Sequence, residues 1–431
     1  MTQKKNFSRR AFIGTSALGI AGLTLIPGCV TRHKGPVRLG FIGLGRQTMF
    51  LVNSFMNLDG VEVLAGADVY GIKRKRFEQR VNAFYREKEK NISATLYEDY
   101  RQLLSRDDID AVVIASPDHW HARMALDACE AGKDIYLEKP LTYTIKEGKM
   151  LVDAVRNHNR ILAVGSQQRS DPSFQHAVRM VQEGRLGTLT NVNVFIGQNP
   201  HPVPYNKPEQ EVPADLNWEK WIGPAPILHY NEVLNPPISL DPPQDEKYWG
   251  AWRRFKELGG GLMTDWGAHM MDIAQWGLER DRSGPVKVIP AGSEGKEFDT
   301  FVYDTGLEIT LEAFDEHTRG VKFWGTDGWI EVSRGKYVAS DDALKPEVEE
   351  SEVPYEGRSA HHRNFIESVK SRKDPVVPVE IGHRTCTACT LGNIAYELQR
   401  PVEWDPESES FVNDPGAEAF MHRPYKHGYS L

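Results

Sequence analysis

The passage from Val37 to Thr48 leaves few folds open to this chain. Val37-Arg38-Leu39-Gly40-Phe41-Ile42 is a short β-rich run, Gly43-Leu44-Gly45-Arg46-Gln47-Thr48 follows, and a helical pattern continues toward Met56. Strand, Gly-x-Gly, helix is the order a dinucleotide-binding turn requires. Gly43 permits the tight turn, and Gly45 lets the backbone approach a pyrophosphate at the helix N-terminus. Gly43, Leu44, Gly45, Arg46 and Gln47 are therefore expected to bind the cofactor. Thr48 stands where the fingerprint has a third glycine. That position governs helix–strand packing rather than phosphate contact, so the match is weakened but not broken.

A second strand, Val61-Glu62-Val63-Leu64-Ala65-Gly66-Ala67, ends at Asp68. An acidic residue there accepts hydrogen bonds from ribose hydroxyls and repels a 2′-phosphate, so NAD is expected rather than NADP. Lys73, Arg74 and Lys75 follow and read as a solvated helix face. The alternation continues with helix over 72–89, a short strand near Leu96, an apolar strand over 111–115 and helix over 119–131. Strand over 134–137, helix over 145–157 and strand over 161–164 complete it. Continuous apolar strands belong to a parallel sheet covered on both faces. Residues 35–165 are expected to form a Rossmann-type, doubly wound α/β domain with its ligand crevice at the carboxyl ends of the strands. Two loops fall there, Ser116-Pro117-Asp118-His119-Trp120-His121 and Glu138-Lys139-Pro140. Lys139, after a buried strand and before a proline, is expected at the mouth of the crevice.

Residues 1–30 read as a signal peptide. Lys4, Lys5, Arg9 and Arg10 precede an uncharged Gly/Ala/Leu-rich stretch, and the Arg9-Arg10 pair resembles the twin-arginine type. Leu25-Ile26-Pro27-Gly28-Cys29 is similar to a lipobox, with Pro27 atypical. The expectation is an exported protein, periplasmic or anchored to a membrane by a lipid on Cys29. Twin-arginine export moves folded proteins into a compartment without a free nicotinamide pool, so the cofactor is expected to be carried along tightly bound. The net charge of the whole chain is −8. The four basic residues and no acidic one before Cys29 leave −12 for the remainder. Nucleic acid is not an expected partner of so acidic a protein. Cys386 and Cys389 form a Cys-x-x-Cys within a helical run, and no second pair completes a zinc site, so packing is the preferred reading.

From Thr188 the pattern changes to longer β-rich runs over 190–196, 286–291, 301–311 and 319–324, without regular helix insertions. An antiparallel or mixed sheet is expected for residues 166–431. The intervening Pro-, Asn-, Trp- and Tyr-rich stretch 198–250 suggests an ordered cover over a pocket. Gly259-Gly260-Gly261 then opens a helix read over Leu262–Ile273, which carries Asp265, His269 and Asp272 on one face. No metal is expected, because further His or Cys ligands are missing from the surrounding sequence. Helices near 361–371 and 380–400 follow, and His361 and His362 read as exposed or capping residues.

Gly43-Leu44-Gly45, Asp68, Ser116-Pro117 with His121, Glu138-Lys139-Pro140 and Asp265…His269 together resemble the glucose–fructose oxidoreductase and inositol dehydrogenase family (Gfo/Idh/MocA). The resemblance implies a second, α+β domain with a large open, mostly antiparallel sheet that completes the substrate pocket and supports a homo-oligomer, dimer or tetramer. It implies that Lys139 contacts both cofactor and substrate hydroxyl, and that Ser116, Pro117, His121 and Glu138 border the cofactor. It makes Asp265 and His269 catalytic and substrate-binding, with Arg169 and Trp252 as further substrate contacts. In this reading neutral His269 takes the hydroxyl proton, Asp265 fixes its tautomer or holds a neighbouring hydroxyl, and Lys139 donates to the developing alkoxide. The expected substrate is a sugar, glycoside or polyol oxidised at a secondary hydroxyl. Two alternatives are a redox-assisted glycoside hydrolase and a non-catalytic, exported carbohydrate-binding protein.

Overall fold

The computed structural model describes residues 35–240, 249–315, 318–346 and 357–431. The expected signal peptide and Cys29 lie outside the described residues. Six strands build the first sheet: β1 (Val37–Ile42), β2 (Val61–Ala67), β3 (Thr95–Tyr97), β4 (Ala111–Ile114), β5 (Asp134–Leu137) and β6 (Leu162–Val164). Their order is β3-β2-β1-β4-β5-β6, with every pair parallel. All residues of β4 and β5 are buried, as strands covered on both faces must be. The order reverses between β1 and β4, and the loops after β1, β2, β4 and β5 converge at that switch point.

Local chemistry starts the helices where the apolar periodicity begins. Thr144 and Glu147 form a reciprocal capping box at the start of helix Ile145–Asn157. Asp171 caps helix Pro172–Gln182, with Pro172 in its first turn.

The second sheet has nine strands: β7 (Leu189–Phe195), β8 (Lys287–Ile289), β9 (Thr300–Val302), β10 (Glu308–Thr310), β11 (Gly320–Gly325), β12 (Trp329–Ser333), β13 (Lys336–Ala339), β14 (Val402–Asp405) and β15 (Ser410–Phe411). The order is β13-β12-β11-β7-β10-β9-β8-β14-β15, antiparallel except for β7 against β10. Val192 and Val194 point into a core shared with Phe174, Met270, Met271 and Phe323, so helices Pro172–Gln182 and Gly267–Gly277 cover one face. The run 301–311, read as one strand, is two strands turning back antiparallel through Gly306.

The last helices return to the first sheet. Phe365, Ile366 and Val369 of helix Gly357–Ser371 share a core with Leu39, Phe41 and Phe55. Val377, Val379 and Cys386 join the cluster of Ile114 and Leu137. The first unit therefore needs residues far beyond 165 to cover its sheet. His361 and His362 are buried in this junction, not exposed. His361 lies 2.8 Å from both Ser170 Oγ and the Val164 carbonyl, and His362 stacks on Phe55.

Candidate active site

One cavity of ≈ 1020 Å³ runs from the turn after β1 to the helices of the second unit. At its first end Gly43 adopts φ +80°, and a Cβ there would stand 2.8 Å from the Ser116 amide nitrogen, so the turn tolerates only glycine. A Cβ on Gly45 would meet nothing within 4 Å, which leaves open space for a ligand against the helix N-terminus. The Thr48 hydroxyl donates to the Gly43 carbonyl and secures the turn in place of the third glycine. The Leu44 amide donates to Asp68 Oδ2 at 2.7 Å and the Tyr70 amide to Oδ1 at 2.8 Å. Leu44 itself is buried, so only its backbone borders the turn. The buried Ser116 Oγ lines the cavity and has no hydrogen-bond partner. An open glycine turn, an oriented carboxylate and an orphaned hydroxyl fit a dinucleotide. Lys73 also lines this end, its Nζ donating to Asn235 Oδ1 at 2.6 Å, so it is not part of a solvated helix face.

At the other end β5 delivers Glu138 and Lys139. Gln47 Nε2 donates to the buried Glu138 Oε1 at 2.8 Å and ties the turn to this strand end. Lys139 Nζ sits 2.5 Å from Asp265 Oδ1 and donates to the Asp265 carbonyl at 3.0 Å. That second bond exists because the helix read over 262–273 is broken. It runs as Gly261–Asp265 and Gly267–Gly277, with Trp266 between. In a continuous helix the His269 amide would take the Asp265 carbonyl; here it bonds to the Trp266 carbonyl at 3.0 Å. The break frees one carbonyl and Lys139 occupies it.

The break also separates the expected Asp265–His269–Asp272 face. Asp265 partners Lys139, with Arg253 Nε 3.6 Å from its other oxygen, and does not fix the His269 tautomer. Burial pushes the Asp265 carboxyl up, but Lys139, Arg253 and Arg319 outweigh it and hold it below the ordinary value. His269 Nε2 lies 3.1 Å from Arg334 Nη2, which can only donate, so the neutral ring carries its hydrogen on Nδ1. Burial, Arg334 and Lys139 hold His269 well below its usual range. Its Nδ1 is buried without a partner in a ring that lines the cavity. This makes His269 a hydrogen-bond donor toward a ligand and a weaker base than the spacing implied.

Asp272 turns away into the interior with Arg169. Arg169, 2% exposed, donates to Asp272 Oδ2 and Oδ1 at 2.8 Å each and to Asp281 Oδ1 at 2.7 Å. The expectation of a substrate contact is corrected: Arg169 does not line the cavity, because two carboxylates absorb its guanidinium. Trp252 does line it, with the Arg253 guanidinium 4.6 Å above its ring. Gly45, Arg46, Gln47, Asp68, Ser116, Pro117, His121, Glu138, Lys139, Asp265 and His269 line it as well. His121 faces the Pro140 carbonyl at 2.7 Å and the Ser116 carbonyl at 3.0 Å, so its ring joins the two loops. Trp221, Leu234, Asn235 and Trp249, from the stretch over 198–250, line the cavity too.

Nothing local in the sequence marks Asp118, in the loop after β4, for a role. Asp118 is buried and lines the cavity, and burial pushes its carboxyl up to about 7 against the pull of Arg253 and Lys139. Arg253, Arg319 and Arg334 were also missed. Each comes from a segment with no motif of its own, and only the tertiary fold brings Arg253 and Arg319 to Asp265 and Arg334 to His269.

Comparison with known proteins agrees with this geometry. The profile "Oxidoreductase family, NAD-binding Rossmann fold" matches residues 37–166, and "Oxidoreductase family, C-terminal alpha/beta domain" matches residues 199–431. An uncharacterized oxidoreductase of Bacillus subtilis, YrbE, is 25% identical over 381 residues, covering 86% of this chain and 94% of that protein. An alpha-N-acetylgalactosaminidase of Shewanella oneidensis is 32% identical over 166 residues, covering 38% of this chain and 35% of that protein. An aldose-aldose oxidoreductase from Caulobacter crescentus shares the fold with a TM-score of 0.60 at 18% identity, over 85% of this chain and 99% of that one. A myo-inositol 2-dehydrogenase from Lactobacillus plantarum does so with a TM-score of 0.57 at 17% identity, over 85% and 99%. With both profiles in chain order over most of the described residues, the chain belongs to the Gfo/Idh/MocA family of oxidoreductases.

Proposed function

We propose that this protein interconverts a secondary hydroxyl and a ketone on a sugar, glycoside or polyol, using NAD. The observation that carries the reading is Lys139 Nζ, held 2.5 Å from Asp265 in the same cavity that reaches the Gly43–Gln47 turn. Gly43, Gly45, Arg46, Gln47, Asp68 and Ser116 would hold the dinucleotide, which supplies hydride acceptance and donation when bound. Lys139 donates a hydrogen bond to the substrate oxygen and stabilises negative charge there. Asp265 accepts from that ammonium and fixes its direction. His269 offers its Nδ1–H as a second donor. Asp118, in the same electrostatic cluster, takes up or releases a proton near neutral pH. Asp68 at the end of β2 disfavours a 2′-phosphate, which supports NAD over NADP. The twin-arginine pattern of residues 1–30 supports export with the cofactor tightly held, and Cys29 offers a lipid anchor. The open nine-stranded sheet supports a homo-oligomer.

The test uses protein purified without added cofactor. Sugars, glycosides and inositols are added singly while reduced-nicotinamide absorbance is followed. A rise stoichiometric with protein supports the proposal; no rise, with no nicotinamide released on denaturation, overturns it. A second reading, redox-assisted glycoside cleavage, is favoured by Asp118. A carboxyl still half protonated near pH 7 can protonate a leaving group, and the partial likeness to an alpha-N-acetylgalactosaminidase points the same way. Aglycone release without net change in bound nicotinamide distinguishes it.

A further inference from the structure

Two arginines meet at the end of one antiparallel ladder. Gly320 of β11 pairs with Ser333 of β12, so the next residues outward, Arg319 and Arg334, come together. Both guanidinium groups lie on the same indole, 4.5 Å and 4.9 Å from the Trp266 ring centre. Arg319 makes no ion pair or hydrogen bond among the described residues. The carboxylate that attracts it, Asp265, is already engaged by Lys139 and Arg253, and Arg254 adds another like charge.

These arginines line a bay together with Gln198, Thr318 and Ser333. Trp266, Arg319 and Arg334 border both this bay and the main cavity, so the two adjoin at these three side chains. Ser333 is 2% exposed and its Oγ has no hydrogen-bond partner. A buried hydroxyl without a partner is uncommon in folded proteins and calls for an occupant. The chain beyond the first 28 residues carries −12, so this concentration of cations is a local construction and not a consequence of bulk charge.

We propose that Arg319, Arg334 and Ser333 form an oxyanion subsite, and that the sugar bound in the main cavity carries an anionic substituent: a carboxylate, sulfate ester or phosphate ester. An oxyanion offsets the like charge of Arg254 beside Arg319, accepts charge-assisted hydrogen bonds from both guanidinium groups and accepts from the Ser333 hydroxyl. The proposal rests on the sugar reading above and narrows it to acidic sugars.

Calorimetric titration of the full chain as purified tests it, with glucuronate, glucose 6-sulfate, glucose 6-phosphate and neutral glucose as probes. At least one acidic probe should bind 10-fold or more tighter than glucose, and added salt should weaken that binding. The three acidic probes identify the oxyanion. Arg319→Gln should shrink the preference at least 10-fold, and Ser333→Ala should weaken the acidic probe more than the neutral one. Without ligand, Arg319→Gln should raise Tm, because burial and Arg254 disfavour a charge there more than Asp265 favours it; a merely structural arginine would lower it. Acidic probes binding no tighter than glucose, or a preference untouched in both variants, overturns the subsite. Tight binding of an acidic probe without any nicotinamide reduction leaves the subsite standing and counts against the redox reading. Reduction by neutral sugars with no acidic preference does the reverse.

Discussion

Replacing Asp118 with asparagine removes a charge while keeping an oxygen that can accept from the Gly260 backbone, as the carboxylate does. In the wild type, burial carries this carboxyl from 3.8 up to about 7, even though Arg253 and Lys139 pull it back down. A shift of that size corresponds to about 4 kcal/mol between the two protonation states of the folded protein. The unfolded chain gives up the proton at the ordinary carboxylate value and the folded chain only at about 7. Between those values the folded state binds more protons, so stability falls as pH rises. The contribution is fully present below the unfolded value and is gone above the folded one. The asparagine variant has no such proton. Its unfolding free energy relative to wild type should therefore climb by up to about 4 kcal/mol from about pH 4 to about pH 8. Urea titrations of both proteins across that window, compared at a common slope, read the difference. In parallel, any limb of the kcat/KM profile near pH 7 should flatten in the variant. Stability curves that stay parallel across the window would refute the assignment, since they would mean that Asp118 ionises alike in both states.

Three further outcomes follow from the site and its supports. Lys139→Ala and Asp265→Asn should each lower kcat/KM by about 100-fold or more while bound nicotinamide is retained, because each removes part of the group that meets the developing charge; steady-state rates with released-cofactor absorbance check this. Gly43→Ala places a Cβ 2.8 Å from the Ser116 backbone at φ +80°; it should abolish cofactor retention and lower Tm, read by cofactor release and calorimetry. Arg169→Ala leaves Asp272 buried without its cation and should cost about 3–5 kcal/mol in a denaturant titration, with soluble expression falling accordingly.

The first domain was legible because its signals are local. Each of β1, β4 and β5 is a short apolar run next to a helix, and the βα rule then places Gly43, Asp68, Ser116 and Lys139 at one edge without any knowledge of packing. The nine-stranded sheet was legible as a class and not in its turns, since nothing local marks where 301–311 reverses. The break at Trp266 was hidden. Leu262–Ile273 has a good helical pattern, and the interruption comes with distant packing: Gly261 at φ +70° lies so close to Pro200 that an added Cβ would meet its carbonyl at 2.5 Å, and Lys139 takes the freed Asp265 carbonyl. Arg169 read as a substrate contact from the family resemblance, and nothing local corrected it, since its two carboxylates lie more than 100 residues away in sequence. Arg319 and Arg334 meet through strand register alone. Sequence by itself determined the elements, the cofactor turn and the position of Lys139, whose causes lie within a few residues. Tertiary structure decided which partner each buried charge takes, because Coulomb interactions and desolvation depend on distances in space that residue spacing does not encode.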